Sequence, residues 1–261
     1  MVALPALVWD GLEAGGARRP AMSRQEDAAF LGRTKLFGGL DAEALDTVAA
    51  LATSRAVGAG QAVFRQDGEA THLHLLVTGR VKIAQVNGDG LSLTIRFMGP
   101  GEVPGCVAIF RHVPFPASAT AVLDSRLLLW SSARVGEMMG RHPRLAANAL
   151  EVVGTQTQEM LHRLREFAMD PVERRIARAL LRLVGQAGRR VGAGLEIDFP
   201  LSRQDIAEMT GTTLYTVSRT LREWERRGLV QSARRRVVVC DPARLGEMGT
   251  GHTGSHPREG A

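Results

Sequence analysis

Between about Thr53 and Trp130 the apolar positions fall in short runs: VFRQ, LHLLV, RVKIAQV, LSLTIRFM and RLLLW. Glycine-bearing turns separate them at Asp67-Gly68, Gly79, Asn87-Gly88-Asp89-Gly90 and Gly99-Pro100-Gly101. Runs of this length and punctuation predict antiparallel strands in a sandwich or barrel-like roll. After Pro143 the period changes. Leu150, Val153, Thr157, Leu161, Leu164 and Ala168 step by three or four residues, which predicts a long helix ending near Met169. Such a stripe serves one of two ends, pairing with its own copy as a dimer seam or covering the strands.

A new helix is expected at Asp170-Pro171-Val172-Glu173, with Asp170 capping the amide of Glu173 and Pro171 in the first turn. Ile176, Leu180, Leu183 and Val184 form its inner face, and Arg174, Arg175, Arg178 and Arg182 its outer one. Within Leu201–Val230, Ser202 and Asp205 have the spacing of a helix start. Gly211 permits a tight turn, and Thr212 or Thr213 caps a second helix. That is helix-turn-helix spacing, with Ile206, Ala207, Val217, Leu221 and Trp224 placed to be buried. Residues 231–239, QSARRRVVV, then read as a hairpin with a basic tip, a wing.

The chain has 261 residues, enough for two domains, and 44% of them are hydrophobic. No apolar run approaches the roughly 20 residues that cross a bilayer. The first 20 residues lack a basic leader, so a cytoplasmic location is expected. Two cysteines, Cys106 and Cys240, give neither a disulfide framework nor a clustered metal site. Residues 1–24 and 246–261 are expected to be disordered, and Met22 is an alternative start to Met1. The net charge of +6 is concentrated: Pro171–Leu245 holds 15 Arg against 8 Asp plus Glu, a net of +7. One module is therefore basic, and its partner is expected to be double-stranded DNA.

The second helix would enter the major groove, with Leu214, Tyr215, Ser218, Arg219 and Arg222 facing the bases. Arg219 is the expected base reader, because a guanidinium donates two hydrogen bonds to guanine O6 and N7. Ser202, Arg203, Gln204, Thr213 and Thr216 lie near helix starts, where hydroxyls and amides suit phosphate oxygens. Arg234, Arg235 and Arg236 at the wing are the remaining candidate phosphate contacts.

The two halves together resemble the cAMP-receptor-protein and fumarate-nitrate-reductase (Crp/Fnr) regulator family over roughly residues 30–245. The matching residues include Gly60, Phe64, Gly68, Gly79-Arg80-Val81, Gly101-Glu102, Gly105 and Ser118-Ala119-Thr120-Ala121. In the C-terminal part they are Ser202 to Ala207, Gly211 and Thr216-Val217-Ser218-Arg219. The resemblance implies an α+β chain: a jelly-roll-like β-roll sensor over 25–142, a dimerisation helix over 143–169 and a winged helix-turn-helix over 170–245. It also implies a homodimer on a palindromic site, contact with RNA polymerase, and an effector in the β-roll that controls DNA binding.

Departures from the family matter as much. Cyclic-AMP-binding members carry Glu and Arg where this chain has Cys106 and Ala117, so the charge-assisted pair to a cyclic phosphate is missing. The expected pocket residues are Gly101, Glu102, Gly105, Cys106, Ala117, Ser118, Met160 and Leu161, an apolar set. The cysteine group that would hold an iron–sulfur cluster is absent from the N-terminal part, and no such cluster is expected. The helix-turn-helix is similar to that of nitric-oxide-responsive denitrification regulators, which implies haem as a candidate cofactor with His72, His74 or His112 as axial ligand. Tyr215 stands where many members have a Glu, so the half-site is expected to differ. The alternatives are an effector-independent regulator with the β-roll as scaffold, or an atypical cyclic-nucleotide-responsive one. No nucleophile–base pair or phosphate loop suggests an enzyme.

Overall fold

The structure, a computed structural model, describes residues 23–250. The expectations for residues 1–22 and 251–261, and the choice of start, lie outside the described residues. The N-terminal half runs α1 (Arg24–Leu31), α2 (Ala42–Ala50), β1 (Thr53–Val57), β2 (Ala62–Phe64), β3 (His72–Val86) and β4 (Ser92–Met98). It continues with α3 (Cys106–Arg111), β5 (Ser118–Ser131), α4 (Ser132–Arg141) and α5 (Pro143–Met169). All its strand pairings are antiparallel, in the order β1-β5-β3-β4, with β2 paired to β5. Val57, Val63, Leu76, Val81, Ala121 and Leu127 fill the inside of this roll. Trp130, buried on its other side, stacks obliquely on Phe37 and donates its indole N–H to the Val48 carbonyl at 2.9 Å.

Gly79, expected as a turn, instead lies inside the single 15-residue strand β3. Its φ is +95°, the pairing with β5 shifts register around it, and a Cβ there would stand 2.2 Å from Ser125 Oγ. It is a bulge that lets two backbones approach, and only Gly fits. The Asn87–Gly90 turn does join β3 to β4, with Asn87 Oδ1 accepting from the amides of Asp89 and Leu91.

The C-terminal half comprises α6 (Val172–Ala187), β6 (Gly188–Val191), β7 (Gly194–Ile197), α7 (Arg203–Thr210) and α8 (Leu214–Arg226). It ends with β8 (Val230–Ala233), β9 (Arg236–Val239) and α9 (Pro242–Thr250). Its strands form a second antiparallel sheet, β6-β7-β9-β8. The hairpin β6–β7 was not read from the pattern. Helix α9 corrects the expected tail, since residues 246–250 are helical and Leu245 is buried.

Asp170 does not cap α6. Pro171 holds the cap position, and the Asp170 carboxylate instead takes Arg178 at 2.6 Å and Arg174 at 3.1 Å. Arg182 reaches Glu166 at 2.6 Å, so the face of α6 expected to be outer is clamped to the end of α5.

Among the described residues no helix is long and apolar enough to cross a membrane.

Candidate nucleic-acid interface and effector cavity

Both helices of the helix-turn-helix start as their local chemistry dictates. Ser202 and Asp205 cap each other reciprocally: Ser202 Oγ accepts from the Asp205 amide at 3.0 Å, and the Asp205 carboxylate accepts from the Ser202 amide at 2.9 Å. Thr213, rather than Thr212, caps α8 by accepting from the Thr216 amide at 3.1 Å. Gly211 ends α7 at φ +58°, and a Cβ there would come within 2.7 Å of the Phe167 ring at the end of α5. Val217, Leu221 and Trp224 turn inward, leaving Leu214, Tyr215, Arg219 and Arg222 exposed, with Ser218 half-buried beside them.

The start of α7 and the tip of the wing converge. Ser202, Arg203, Gln204, Leu214, Arg234 and Arg235 line a groove of about 520 Å³. The Arg235 carbonyl accepts from the Leu201 amide at 3.1 Å, which ties the wing tip to the helix-turn-helix. Among the described residues the side chains of Arg219, Arg222, Arg234 and Arg235 make no hydrogen bond or ion pair; Arg234 and Arg235 line this groove, and Arg219 and Arg222 are exposed on α8. Arg203 reaches Ser232 Oγ at 3.0 Å.

Arg236, also expected at a phosphate, does not line the groove. It pairs with Glu196 through Nε at 2.7 Å and Nη2 at 3.2 Å, and the pair pulls the Glu196 carboxyl below its ordinary range. Thr213 and Thr216 lie at the start of α8, outside the groove, with their hydroxyls 3.0 Å apart.

The reading module is docked on the β-roll. Lys82 of β3 pairs with Asp205 at 3.0 Å and with Glu208 at 3.8 Å, and Glu208 also accepts from Thr94 Oγ1 at 2.7 Å. Phe97 of β4 packs on Phe199 and belongs to the same core as α6, α7 and α8.

A second cavity, about 330 Å³, lies between the roll and α5. Of the expected pocket residues, Gly105, Cys106, Ala117 and Met160 line it. The other four do not. Glu102 turns to Arg96 and the Gly99 amide, Gly101 follows β4 with its amide on the Leu76 carbonyl of β3, and Ser118 Oγ accepts from the Gln66 amide. Leu161 lies on the exposed side of α5.

The sequence reading missed Gln156, Arg96 and Arg163. Val153, Gln156, Met160 and Arg163 step by three, four and three along α5 and all face the cavity, so helical periodicity could have found Arg163. Burial pushes the Cys106 thiol up, and its contact with Gln156 at 3.7 Å only partly opposes this, so Cys106 is a neutral, buried thiol.

None of the three histidines expected as haem ligands lines this cavity. His72 is exposed and bonds Thr71 Oγ1, and His112 is exposed at the end of α3. His74 is buried against the Phe64 and Phe115 rings, which stack with centroids 3.8 Å apart. Its Nδ1 has no partner, and burial, aided by Arg55 and His72, lowers its pKa to about 4. A haem held in this cavity would therefore draw no axial ligand from these three histidines.

Two family models match the chain: a cyclic nucleotide-binding domain over residues 54–142 and a Crp-like helix-turn-helix domain over 174–248. The chain is 30% identical over 200 residues to the nitrogen fixation regulation protein FixK of Azorhizobium caulinodans, covering 76% of this chain and 79% of that one. It is 24% identical over 216 residues to the CRP-like cAMP-activated global transcriptional regulator of Mycobacterium tuberculosis H37Rv, covering 83% and 96%. The solved structure of FixK2 from Bradyrhizobium japonicum has the same fold, with a TM-score of 0.65 at 22% identity over 76% of this chain and 96% of that one. The α+β architecture, the helix-turn-helix and these relatives agree, and the chain belongs to the Crp/Fnr family of DNA-binding transcription regulators.

Proposed function

We propose that this protein is a homodimeric, sequence-specific regulator in which a ligand held between the β-roll and α5 sets the disposition of the two recognition helices. The groove between Ser202–Gln204 and Arg234–Arg235, bordered by guanidiniums without carboxylate partners, carries the DNA-binding part of this reading. Phosphates would run along that groove while Leu214, Tyr215, Ser218, Arg219 and Arg222 face base edges. Dimerisation is supported by the stripe Leu150, Leu161 and Leu164, which is 60–76% exposed in the single chain and meets the a/d spacing of a helix pair. Twofold symmetry then places two half-sites about one helical turn apart. Its partner beyond DNA would be RNA polymerase, and its place the cytoplasm.

Cyclic AMP is not the effector in this reading, because Cys106 and Ala117 stand in the cavity wall where a ribose-binding Glu and a phosphate-binding Arg would be needed. Haem is not adopted either, on the ligand geometry above. The test is selection of DNA from random sequence, followed by fluorescence anisotropy on the full chain. A palindrome bound at least a thousandfold more tightly than scrambled DNA is expected. Equal binding to both would overturn the regulator reading.

A further inference from the structure

The cavity under α5 combines an apolar wall with two guanidiniums. Phe64, Ile83, Ile95, Met98, Val103 and Val107 provide the wall. Arg96 enters from β4 and is already engaged, by Glu102 at 2.5 Å and Glu159 at 3.1 Å, although its Nε is buried without a partner. Arg163 enters from α5 and, among the described residues, makes no hydrogen bond or ion pair. The carboxylates nearest to it are taken: Glu159 by Arg96 and Glu166 by Arg182.

Burial, and then the fields of Arg182 and Arg96, bring Arg163 down to about 10 against the opposing pull of Glu159 and Glu166. It remains charged at neutral pH, in surroundings that disfavour its charge. A half-buried guanidinium whose five donors meet no protein acceptor is an incomplete site. An anion entering the cavity completes it, through a fork suited to a carboxylate.

We propose that the effector is a small organic carboxylate with an apolar body, its carboxylate on Arg163 and its body against the Phe64–Met98 wall. This rests on the reading above that the cavity is the effector site, and narrows it to a ligand class. A cavity of about 330 Å³ is at the small end for a ligand pocket. Its polar lining beyond the two arginines is limited to Gln156, Thr157, Glu159, the Cys106 thiol and backbone groups, which suits an apolar acid better than a nucleotide. The ligand would press on a helix that carries Arg163 and Met160 toward the cavity and Leu161 and Leu164 on its exposed stripe, so binding and subunit packing share one element.

The test uses the full-length protein, calorimetry and DNA anisotropy, with octanoate, 4-phenylbutyrate and indole-3-acetate, the amide of each, and cyclic AMP as probes. At least one carboxylate is expected to bind the native chain at least tenfold more tightly than its amide. Arg163→Gln should abolish that preference and Arg163→Lys should retain part of it, with both variants keeping the native melting temperature within a few degrees. Equal binding of acid and amide, undiminished binding by the folded Arg163→Gln variant, or binding of cyclic AMP alone would each overturn the proposal, as would failure of all three acids.

A tenfold change in DNA affinity on adding the acid, about 1.4 kcal/mol of coupling, is the expected second result. Arg163-dependent acid binding with no such change would leave the ligand class standing and remove the effector reading. Absence of selective DNA binding would remove the regulator reading, and calorimetry would still decide the ligand.

Discussion

Lys82 Nζ and Asp205 Oδ1 lie 3.0 Å apart across 123 residues of chain, joining the centre of the β-roll to the first helix of the helix-turn-helix. Both side chains are mostly covered, so the pair is worth more than an exposed one and less than a fully buried one, on the order of 1 kcal/mol. Burial itself would raise the Asp205 pKa, but hydrogen bonds from Ser202 and Lys82 outweigh it and the net shift is downward. A carboxylate with a depressed folded pKa stabilises fully above its unfolded value, about 4, and loses that contribution as pH falls through the folded value. Lys82→Met is therefore expected to lower the melting temperature by roughly 2–4 °C at pH 7. The deficit should shrink below pH 4, and thermal unfolding across pH checks both parts.

His74 gives a second pH dependence, with the opposite charge type. Its folded pKa of about 4 lies below the unfolded value of 6.5, so as pH falls between these limits the unfolded chain gains a proton that the folded one refuses. Stability should decline over pH 6.5 to 4 by up to roughly 3 kcal/mol from this group. His74→Leu fills the same apolar surroundings of Phe64 and Phe115 and should flatten that part of the profile. Urea titrations at pH 7 and pH 5 measure it, and an unchanged slope would show that His74 is accessible to protons when folded.

Arg219 stands exposed on α8 with no partner among the described residues. Its replacement by Ala is expected to cost about 1–3 kcal/mol of discrimination at one base pair of each half-site. Binding to a site altered at that base pair should change little. Anisotropy with a panel of single-base variants separates this from a uniform loss.

Arg234 and Arg236 are two residues apart and should behave differently. Arg234 lines the groove, whereas Arg236 is held by Glu196. Arg234→Ala should weaken all DNA sequences alike and reduce the salt slope of binding by about 1. Arg236→Ala should leave that slope unchanged and perturb only the β7–β9 region, visible as faster amide exchange of the hairpin.

The paired substitutions Leu161→Asp and Leu164→Asp put charge on the exposed stripe of α5, away from the cavity. The expected result is a folded monomer by sedimentation, with loss of palindrome binding and retention of a melting transition. A dimer that survives both changes would place the subunit contact elsewhere.

What the sequence alone shows depends on neighbours a few residues apart. Ser202 and Asp205 cap each other across one helical turn, Thr213 reaches Thr216, and Gly211 supplies a left-handed turn, all between Ser202 and Thr216. The helix α5 was legible for the same reason, because a helix repeats every 3.6 residues, but Val153 and Thr157 of the expected stripe line the cavity instead. These short-range rules determined the fold class and both helices of the helix-turn-helix.

The surroundings of Arg236, Arg96 and Arg163 were set by tertiary structure. Arg236 looks like Arg234 and Arg235 in the sequence, but the second sheet brings Glu196, 40 residues away, to it. Asp170 looks like a helix cap, but two arginines of the following helix claim its carboxylate. Arg96 and Arg163 meet in one cavity from a strand and a helix more than 60 residues apart. A charged side chain satisfies itself with whatever opposite charge the fold places within a few ångströms, and for partners as distant in sequence as Arg236 and Glu196 that choice leaves no mark on local spacing.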